Sequence, residues 1–317
     1  MQPTINELSV LKEFRRSERL MGNAFEITVV CEEKEVANEA ILLAIEEIRR
    51  IERLFTTFDN DSQTNLINRN AGVEATVVDR EVYELIERSI RISVLTDGAF
   101  DITFGSIDKS LWNFDQTMTK LPDPKLAKSM VRLINFRNIV LNKENCSVLL
   151  KEKGMRIGFG GIGKGYAAEM ARQLLQRKGI VAGVINASGD ISTWGMQANG
   201  KPWTIGIADP DNASLPFSYL NISNMAIATS GNYEKFAVIG GKRYSHTINP
   251  KTGLPVSGIK SVTIICPNAE IADAMATPVS VMGVKAGLGL INQMHGIACI
   301  IIDDYNNIYS SKNIQIR

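Results

Sequence analysis

Ile157-Gly158-Phe159-Gly160-Gly161-Ile162-Gly163-Lys164-Gly165-Tyr166 stands at mid-chain, between a short strand-like run and about fifteen residues of helical character. That helix is expected from Lys164 to Lys178, with Gly179 as its stop. Gly158-x-Gly160-x-x-Gly163 has the form of a dinucleotide fingerprint, and Gly158 to Lys164 has most of a P-loop. Both matches fail on chemistry. A P-loop needs Ser or Thr after its lysine to hold magnesium, and the residue here is Gly165. A Rossmann unit needs an acidic residue roughly 20 positions on, at the end of the next strand. The following run, Ile180 to Ala187, offers none before Asp190. What survives is the physics shared by both motifs: glycines admit a ligand close to the backbone, and free N–H groups at a helix start suit phosphate. The bland alternative is a tight strand–helix turn with no ligand.

Outward from this loop, the chain reads as alternating strands and helices. Residues 24–31 form a strand, and Ile41, Ala44, Ile45, Ile48, Ile51 and Phe55 recur at helical spacing from about Val36. Asp59 to Gly72 is rich in Asn and Asp and reads as turn chemistry. Asp79 is placed to cap a second helix that ends at Thr96-Asp97-Gly98. Residues 115–135 are polar and irregular, and strand-like runs follow at 138–142 and 147–150. Beyond residue 200 come short β runs, a hairpin turning at Gly240-Gly241, helices near 272–283 and 285–294, and a last strand, Ile297 to Asp303. No repeat or linker interrupts the pattern. One large α+β, mixed α/β domain with a mixed sheet and flanking helices is the economical architecture.

Charge and composition exclude more than they select. Lys and Arg number 35 and Asp and Glu 34, and no basic stripe stands out, so a nucleic-acid partner is not expected. No run approaches ~18 consecutive apolar residues, so no membrane-spanning segment is expected. The four cysteines are scattered and include no CxxC, which argues against a disulfide framework. No signal-peptide pattern precedes Met21, so the chain as written reads as cytoplasmic. It would be exported or membrane-anchored if a leader had been removed.

Several further segments are unusual. Gly98-Ala99-Phe100-Asp101-Ile102-Thr103 follows the second helix, and Leu111-Trp112-Asn113-Phe114 comes soon after. Ala228-Thr229-Ser230-Gly231-Asn232-Tyr233 follows a β run. His246, one of two histidines, precedes Asn249-Pro250-Lys251-Thr252-Gly253. Its ordinary pKa near 6.5 suits a general base or a phosphate ligand, and a structural bond ordering the 249–253 turn is the alternative. Asp273 and Thr277 share one helix face at i, i+4 and offer two oxygen donors; a charge favoured by the helix dipole is the alternative for Asp273.

In this order and spacing, these motifs resemble the ApbE family, the FAD:protein FMN transferases. The matches begin with Met21-Gly22, the Ser62–Asn68 segment, Gly98 to Asp101 with Thr103, and Gly160-Gly161-Ile162 with Lys164-Gly165-Tyr166. They continue with Asn186 and Gly189-Asp190, Thr229-Ser230-Gly231 with Tyr233, His246, Pro250 with Thr252-Gly253, and Asp273 with Ala276-Thr277. The resemblance covers residues from about 17 to 310. It implies an N-terminal extension over 1–16, a domain over 17–317 and a T-fold-related architecture. This chain departs from the family pattern at Gly158 and Asn249, where Asp is common. It departs again at Gly163 for Ala, Glu169 for Asp, Ser188 for Gly and Phe58 for Tyr.

The resemblance implies an enzyme that cleaves the pyrophosphate of FAD and attaches FMN by a phosphoester to a Ser or Thr of a partner flavoprotein, releasing AMP. It implies magnesium held by Asp273, Thr277 and the carbonyl of Gly163. Lys164 would neutralise pyrophosphate charge, and His246 or Asp101 would serve as base. FAD would meet Met21, Phe58, Ala99, Phe100, Asp101, Gly160, Lys164, Glu169, His246 and Ile248, with Met21 and Phe58 on its rings and Glu169 at the nucleoside end. An FAD pyrophosphatase giving FMN and AMP, or a flavin-binding protein without turnover, are the alternatives.

Overall fold

The computed structural model describes residues 10–107, 118–209, 212–231 and 236–314, without the side chains of 212–217. Leu111-Trp112-Asn113-Phe114, Asn232 and Tyr233 lie outside the described residues. The chain opens with a hairpin, β1 (Lys12–Leu20) and β2 (Asn23–Cys31), paired along its whole length. β1 therefore runs through the 16/17 boundary drawn from the sequence. Next come α1 (Lys34–Phe55), α2 (Gln63–Arg69), β3 (Thr76–Val77) and α3 (Arg80–Leu95). They are followed by α4 (Pro124–Met130), β4 (Ile139–Asn142), β5 (Ser147–Leu150) and α5 (Gly163–Arg177). β6 (Ala182–Ala187), β7 (Asp190–Trp194), β8 (Trp203–Asp209), β9 (Asn212–Ile222) and β10 (Ala226–Gly231) form the next run. β11 (Phe236–Ile239), β12 (Lys242–Ser245), β13 (Ile259–Cys266), α6 (Ala269–Ile291), β14 (Ala298–Asp303) and β15 (Ile308–Ser310) complete it.

The main sheet has eight strands in the order β1-β2-β6-β7-β10-β13-β14-β15. A single domain with helices on a large sheet is what forms, and each pairing in that sheet is antiparallel among the described residues. Its alternation explains why the central strands read as continuous apolar runs. Val262 and Ile264 of β13 face the core shared with α1, α5 and α6, whereas Ile265 joins Ile227, Ile300 and Ile207 on the opposite face. The β8–β9 hairpin covers that second face. Strands buried on both sides lose the polar alternation of a half-exposed sheet, whatever their direction.

α1 and α3 form as their apolar spacing predicts. Asp79 stands at the α3 N-cap without a side-chain cap bond; its backbone N–H donates instead to Gln63 Oε1 at 2.7 Å. α6 spans both helices expected near the C-terminus, with a break at Gly283 (φ 82°, ψ 168°). By length and composition alone α6 is long and apolar enough to cross a membrane, yet it is packed between α5 and the sheet and carries Glu270 and Asp273 in its buried part. Besides the antiparallel sheet standing where a mixed one was expected, three expectations are corrected. The 115–135 stretch read as irregular holds α4, whose N-cap Asp123 accepts from the N–H groups of Lys125 and Leu126 at 3.0 Å. The Asp59–Gly72 stretch is not all turn, since Ser62 caps α2 by accepting from the N–H of Asn65 at 3.1 Å. No strand leads directly into the glycine loop, because β5 ends at Leu150 and the chain crosses irregularly from there.

Polar ties lock the helices together where the core narrows. Arg88 grips Glu270 with two bonds of 2.7 and 3.0 Å, and the Tyr166 hydroxyl donates to Glu81 at 2.6 Å. Arg50 clamps the same Glu81 at 2.6 and 2.9 Å, so α1, α3, α5 and α6 are joined around Tyr166.

Candidate active site

Three cavities meet along the glycine loop. The largest, of about 580 Å³, lies against Ala99, Phe100, Asp101, His246, Ile248 and Thr277. The second, of about 390 Å³, lies on the other side of the loop against Met21, Phe58, Gly163 and Lys164. A smaller one of about 180 Å³ is lined by Lys164, Asp190, Ser230, His246, Asp273 and Thr277. Gly160 borders all three, and a Cβ there would meet nothing within 4 Å. The result is one cleft: two roomy lobes on either side of a glycine ridge, joined by a small polar chamber.

Local sequence builds each wall. Met21 (φ 51°) and Gly22 (φ 72°) make a two-residue hairpin turn with both φ positive, and Asn23 Nδ2 donates to the Met21 carbonyl at 2.7 Å. That turn delivers Met21 to the second lobe. The end of α3 reverses through Asp97 (φ 48°) and Gly98 (φ 75°), with Gly98 N–H donating to the Ser93 carbonyl at 2.7 Å. The reversal lays Ala99 to Ile102 along the large lobe. Asn68 on α2 clamps Ile157, donating to its carbonyl at 3.1 Å and accepting from its N–H at 2.7 Å. The Ser62–Asn68 motif is thus a splint for the glycine loop. Asn249 orders the turn beyond His246, its side-chain oxygen accepting from Lys251 N–H at 2.8 Å. An amide oxygen does there what a carboxylate would do.

The helix start does not wait for phosphate. Asp273, reaching across from α6, accepts from the N–H of Gly165 at 2.9 Å and also from Lys164 N–H. The anion that the α5 N-terminus favours is therefore supplied by the protein itself. This corrects the expectation of a phosphate at that terminus and leaves the ridge Gly158–Gly161 as the surface open to ligand. It also explains why position 165 cannot be the Ser or Thr of a P-loop. A Cβ at Gly165 would stand 2.2 Å from the Ala269 carbonyl oxygen and 2.6 Å from Asp273 Cβ.

Charge in the polar chamber is unbalanced. Lys164, half-buried, pairs with Asp190, and both Asp190 and Asp273 are buried. Burial works against the lysine charge, but Asp273 and Asp190 outweigh it and hold the ammonium above its ordinary value. Burial pushes Asp190 up as well, against the pull of Lys164. Asp273 is pushed up to about 7, first by burial and then by Asp190. Two carboxylates thus share one lysine, together with the Thr277 hydroxyl. An all-oxygen donor set with surplus negative charge fits a magnesium ion that keeps waters and substrate phosphate as its other ligands. Gly163, the third expected ligand, lines the second lobe and is not among the residues around the chamber.

Asp101 faces the large lobe with both carboxylate oxygens engaged. Oδ1 accepts from Thr103 N–H at 2.8 Å and from its hydroxyl at 2.7 Å, and Oδ2 accepts from Phe136 N–H at 2.9 Å. Burial raises its pKa, and those bonds offset part of the rise. It serves as a brace for the Ala99–Thr103 segment. His246 instead stands where the large lobe opens into the polar chamber, beside Ser230 and Thr277.

One expected contact is corrected. Glu169 lines none of these cavities. It is 1% exposed and accepts from Arg172, from Gln173 Nε2 at 2.9 Å and from Ala269 N–H at 3.1 Å, tying α5 to the start of α6. All the other expected residues line the cleft. Phe58 does so while 99% exposed, as an uncovered ring at the rim of the second lobe. Among the lining residues that were not expected, three carry charge: Asp190 as the partner of Lys164, Arg156 on the large lobe, and Glu52 on the second. Asp190 sat inside a recognised motif and Arg156 directly before the glycine loop. Glu52 gave no signal within a helix already rich in Glu.

Comparison with known proteins places this geometry. A relative from Klebsiella pneumoniae named FAD:protein FMN transferase is 29% identical over 300 residues, covering 94% of this chain and 92% of its own. One of the same name from Treponema pallidum is 29% identical, covering 97% and 89%. The crystal structure of the ApbE protein from Thermotoga maritima superposes with a TM-score of 0.84 at 30% identity, covering 95% of this chain and 97% of that one. The ApbE family model matches residues 21–301, which take in the hairpin turn at Met21, the glycine ridge and the polar chamber, and the chain belongs to the ApbE family.

Proposed function

We propose that the protein is a magnesium-dependent FAD:protein FMN transferase. The observation that carries this reading is the shape of the cleft. Two lobes large enough for ring systems flank a polar chamber holding a lysine and two acids, which is the layout of a dinucleotide bound across its pyrophosphate. The names borne by the relatives supply the reaction.

In this reading the acceptor Ser or Thr hydroxyl attacks the phosphorus on the FMN side of FAD. The new P–O bond forms as the bond to the AMP phosphate breaks, and AMP leaves. The chain provides positioning and charge, not a covalent nucleophile. Asp273 and Thr277 would hold magnesium, with the Gly163 carbonyl as the donor that the family resemblance adds; the ion supplies neutralisation of pyrophosphate charge. Lys164 faces the same chamber and binds phosphate oxygen. His246, at the mouth of the chamber, takes the proton of the attacking hydroxyl, a role that suits an imidazole better than the fully engaged Asp101. Gly160 lets the phosphates lie close to the ridge, and Met21 and Phe58 pack on a ring in the second lobe.

The test is incubation with FAD, Mg²⁺ and a carrier protein bearing an Asp-Gly-Ala-Thr segment, read by in-gel flavin fluorescence and AMP release. Labelled carrier with stoichiometric AMP is expected, and Asp273→Ala should lower the rate by about three orders of magnitude. AMP without labelled carrier would make the protein an FAD pyrophosphatase. Bound FAD with no AMP would leave a flavin-binding protein.

A further inference from the structure

The overall charge of +1 hides a local excess. Residues 118–156 carry nine basic residues against three acidic ones, so the basic stripe that the whole-chain count did not reveal does exist. All nine are exposed, among them Lys128, Arg132, Arg137, Lys151, Lys153 and Arg156, and none forms an ion pair among the described residues. The fold joins them into a rim. Lys151 N–H donates to the Asn138 carbonyl at 2.9 Å, which brings the turn after β5 beside Arg137. Gly154 packs near Leu133, next to Arg132. Arg156 N–H donates to Ser106 Oγ at 2.7 Å and its residue lines the large lobe. Lys128 on α4 donates to the Lys251 carbonyl, in the turn that carries Pro250 into the same lobe. The rim therefore runs from the wall of the cleft outward over the small sheet.

We propose that this rim docks an acidic segment of the acceptor protein next to the hydroxyl that receives FMN. The inference rests on the transferase reading, in which a protein must present its hydroxyl at the open side of the cleft. Two observations choose a protein over a nucleic acid. The rim is continuous with the cleft that the acceptor must enter. In addition, single-stranded nucleic acid is held by exposed aromatic platforms as well as charge, and the one aromatic residue in 118–156, Phe136, is buried. Exposed charges of this kind act mainly on encounter, so their effect should fade as salt screens them.

The experiment compares two carriers that share the Asp-Gly-Ala-Thr acceptor segment, one followed by five Glu and the other by five Gln. With the wild-type enzyme, KM for the Glu carrier should be roughly tenfold lower than for the Gln carrier at about 50 mM salt, and the gap should close near about 300 mM. The triple variant Arg132→Glu/Lys151→Glu/Lys153→Glu changes residues remote from the cleft. It should erase the preference while leaving kcat and the KM for FAD unchanged, which also reports that it is folded. Equal KM for both carriers at low salt would overturn the rim as a docking surface while leaving the transferase intact. No label on either carrier would defeat the transferase reading and this inference together. Wild-type binding to a 20-nucleotide single strand or to phosphatidylserine vesicles, lost in the triple variant while carrier KM stays the same, would reassign the rim to that ligand and overturn the proposal.

Discussion

The floor of the cleft and its rim obey opposite rules. On the floor, α5 and α6 approach so closely that Gly165 has no space for a methyl group, and the Asp273 carboxylate is held by backbone N–H groups of the neighbouring helix. At the rim, Phe58 is 99% exposed and Arg156 and its basic neighbours have no ion-pair partner among the described residues. The contrast separates two tasks. Under the proposed transferase reading, the groups that would handle phosphate are fixed by packing before substrate arrives, so little reorganisation would be left for the reaction. The groups that would recognise rings and a partner protein are left uncovered, so in that reading their contacts form only on binding.

The largest effect on stability should come from breaking the floor. Gly165→Ala would drive a methyl group into the Ala269 carbonyl, costing about 3 kcal/mol of stability as the helices part. The same shift moves Lys164 and Asp273 apart, and a displacement near 1 Å is enough for a roughly hundredfold loss of rate. Thermal unfolding and single-turnover AMP release would both report it. An unchanged rate would show that the close approach is incidental to catalysis.

Glu169→Ala comes next and separates packing from binding. It removes the acceptor for Ala269 N–H and leaves Arg172, itself largely buried, without its carboxylate. A cost of about 2 kcal/mol is expected, seen as a lower unfolding midpoint in urea. KM for FAD should not move, because the side chain lines none of the cavities. A raised KM with normal stability would restore Glu169 to the nucleoside end, where the family resemblance had placed it.

At the rim the balance reverses. Phe58→Ala should leave the unfolding midpoint within error, since the ring is exposed, yet raise KM for FAD roughly tenfold through loss of one stacking face. A drop in kcat at unchanged KM would place Phe58 in the chemical step.

This division also governs what the sequence reveals. Motifs that shape backbone were legible: Asp97-Gly98, the open glycines and the i, i+4 pair of Asp273 and Thr277 each need particular residue types at fixed spacing, whereas the Met21-Gly22 turn was visible only as a family match and β1 before it was not read at all. Contacts between distant segments were not. The α5 N-terminus looked ready for a ligand anion because its own anion lies 108 residues away, on another helix. α2 was hidden because it buries Thr64 and Asn65 through hydrogen bonds and shows no apolar stripe. The antiparallel sheet read as mixed because β13 is covered on both faces. Net charge concealed the basic rim because the rest of the chain cancels it.

The smallest effect tests the boundary between floor and rim, two residues from Gly165. Gly163 begins α5 but faces the second lobe, and a Cβ there would stand 3.5 Å from Phe159 Cβ and 3.6 Å from Met21 Cε, both ordinary contacts. Gly163→Ala should therefore be accepted without movement, and by restricting the unfolded chain it should raise stability by about 0.5 kcal/mol. If the donor toward magnesium is the backbone carbonyl, a methyl group leaves it in place and the Mg²⁺ concentration for half-maximal rate stays the same. A severalfold rise in that concentration would show that the glycine is needed for the loop to move, and would extend the freedom of the rim one turn into the helix.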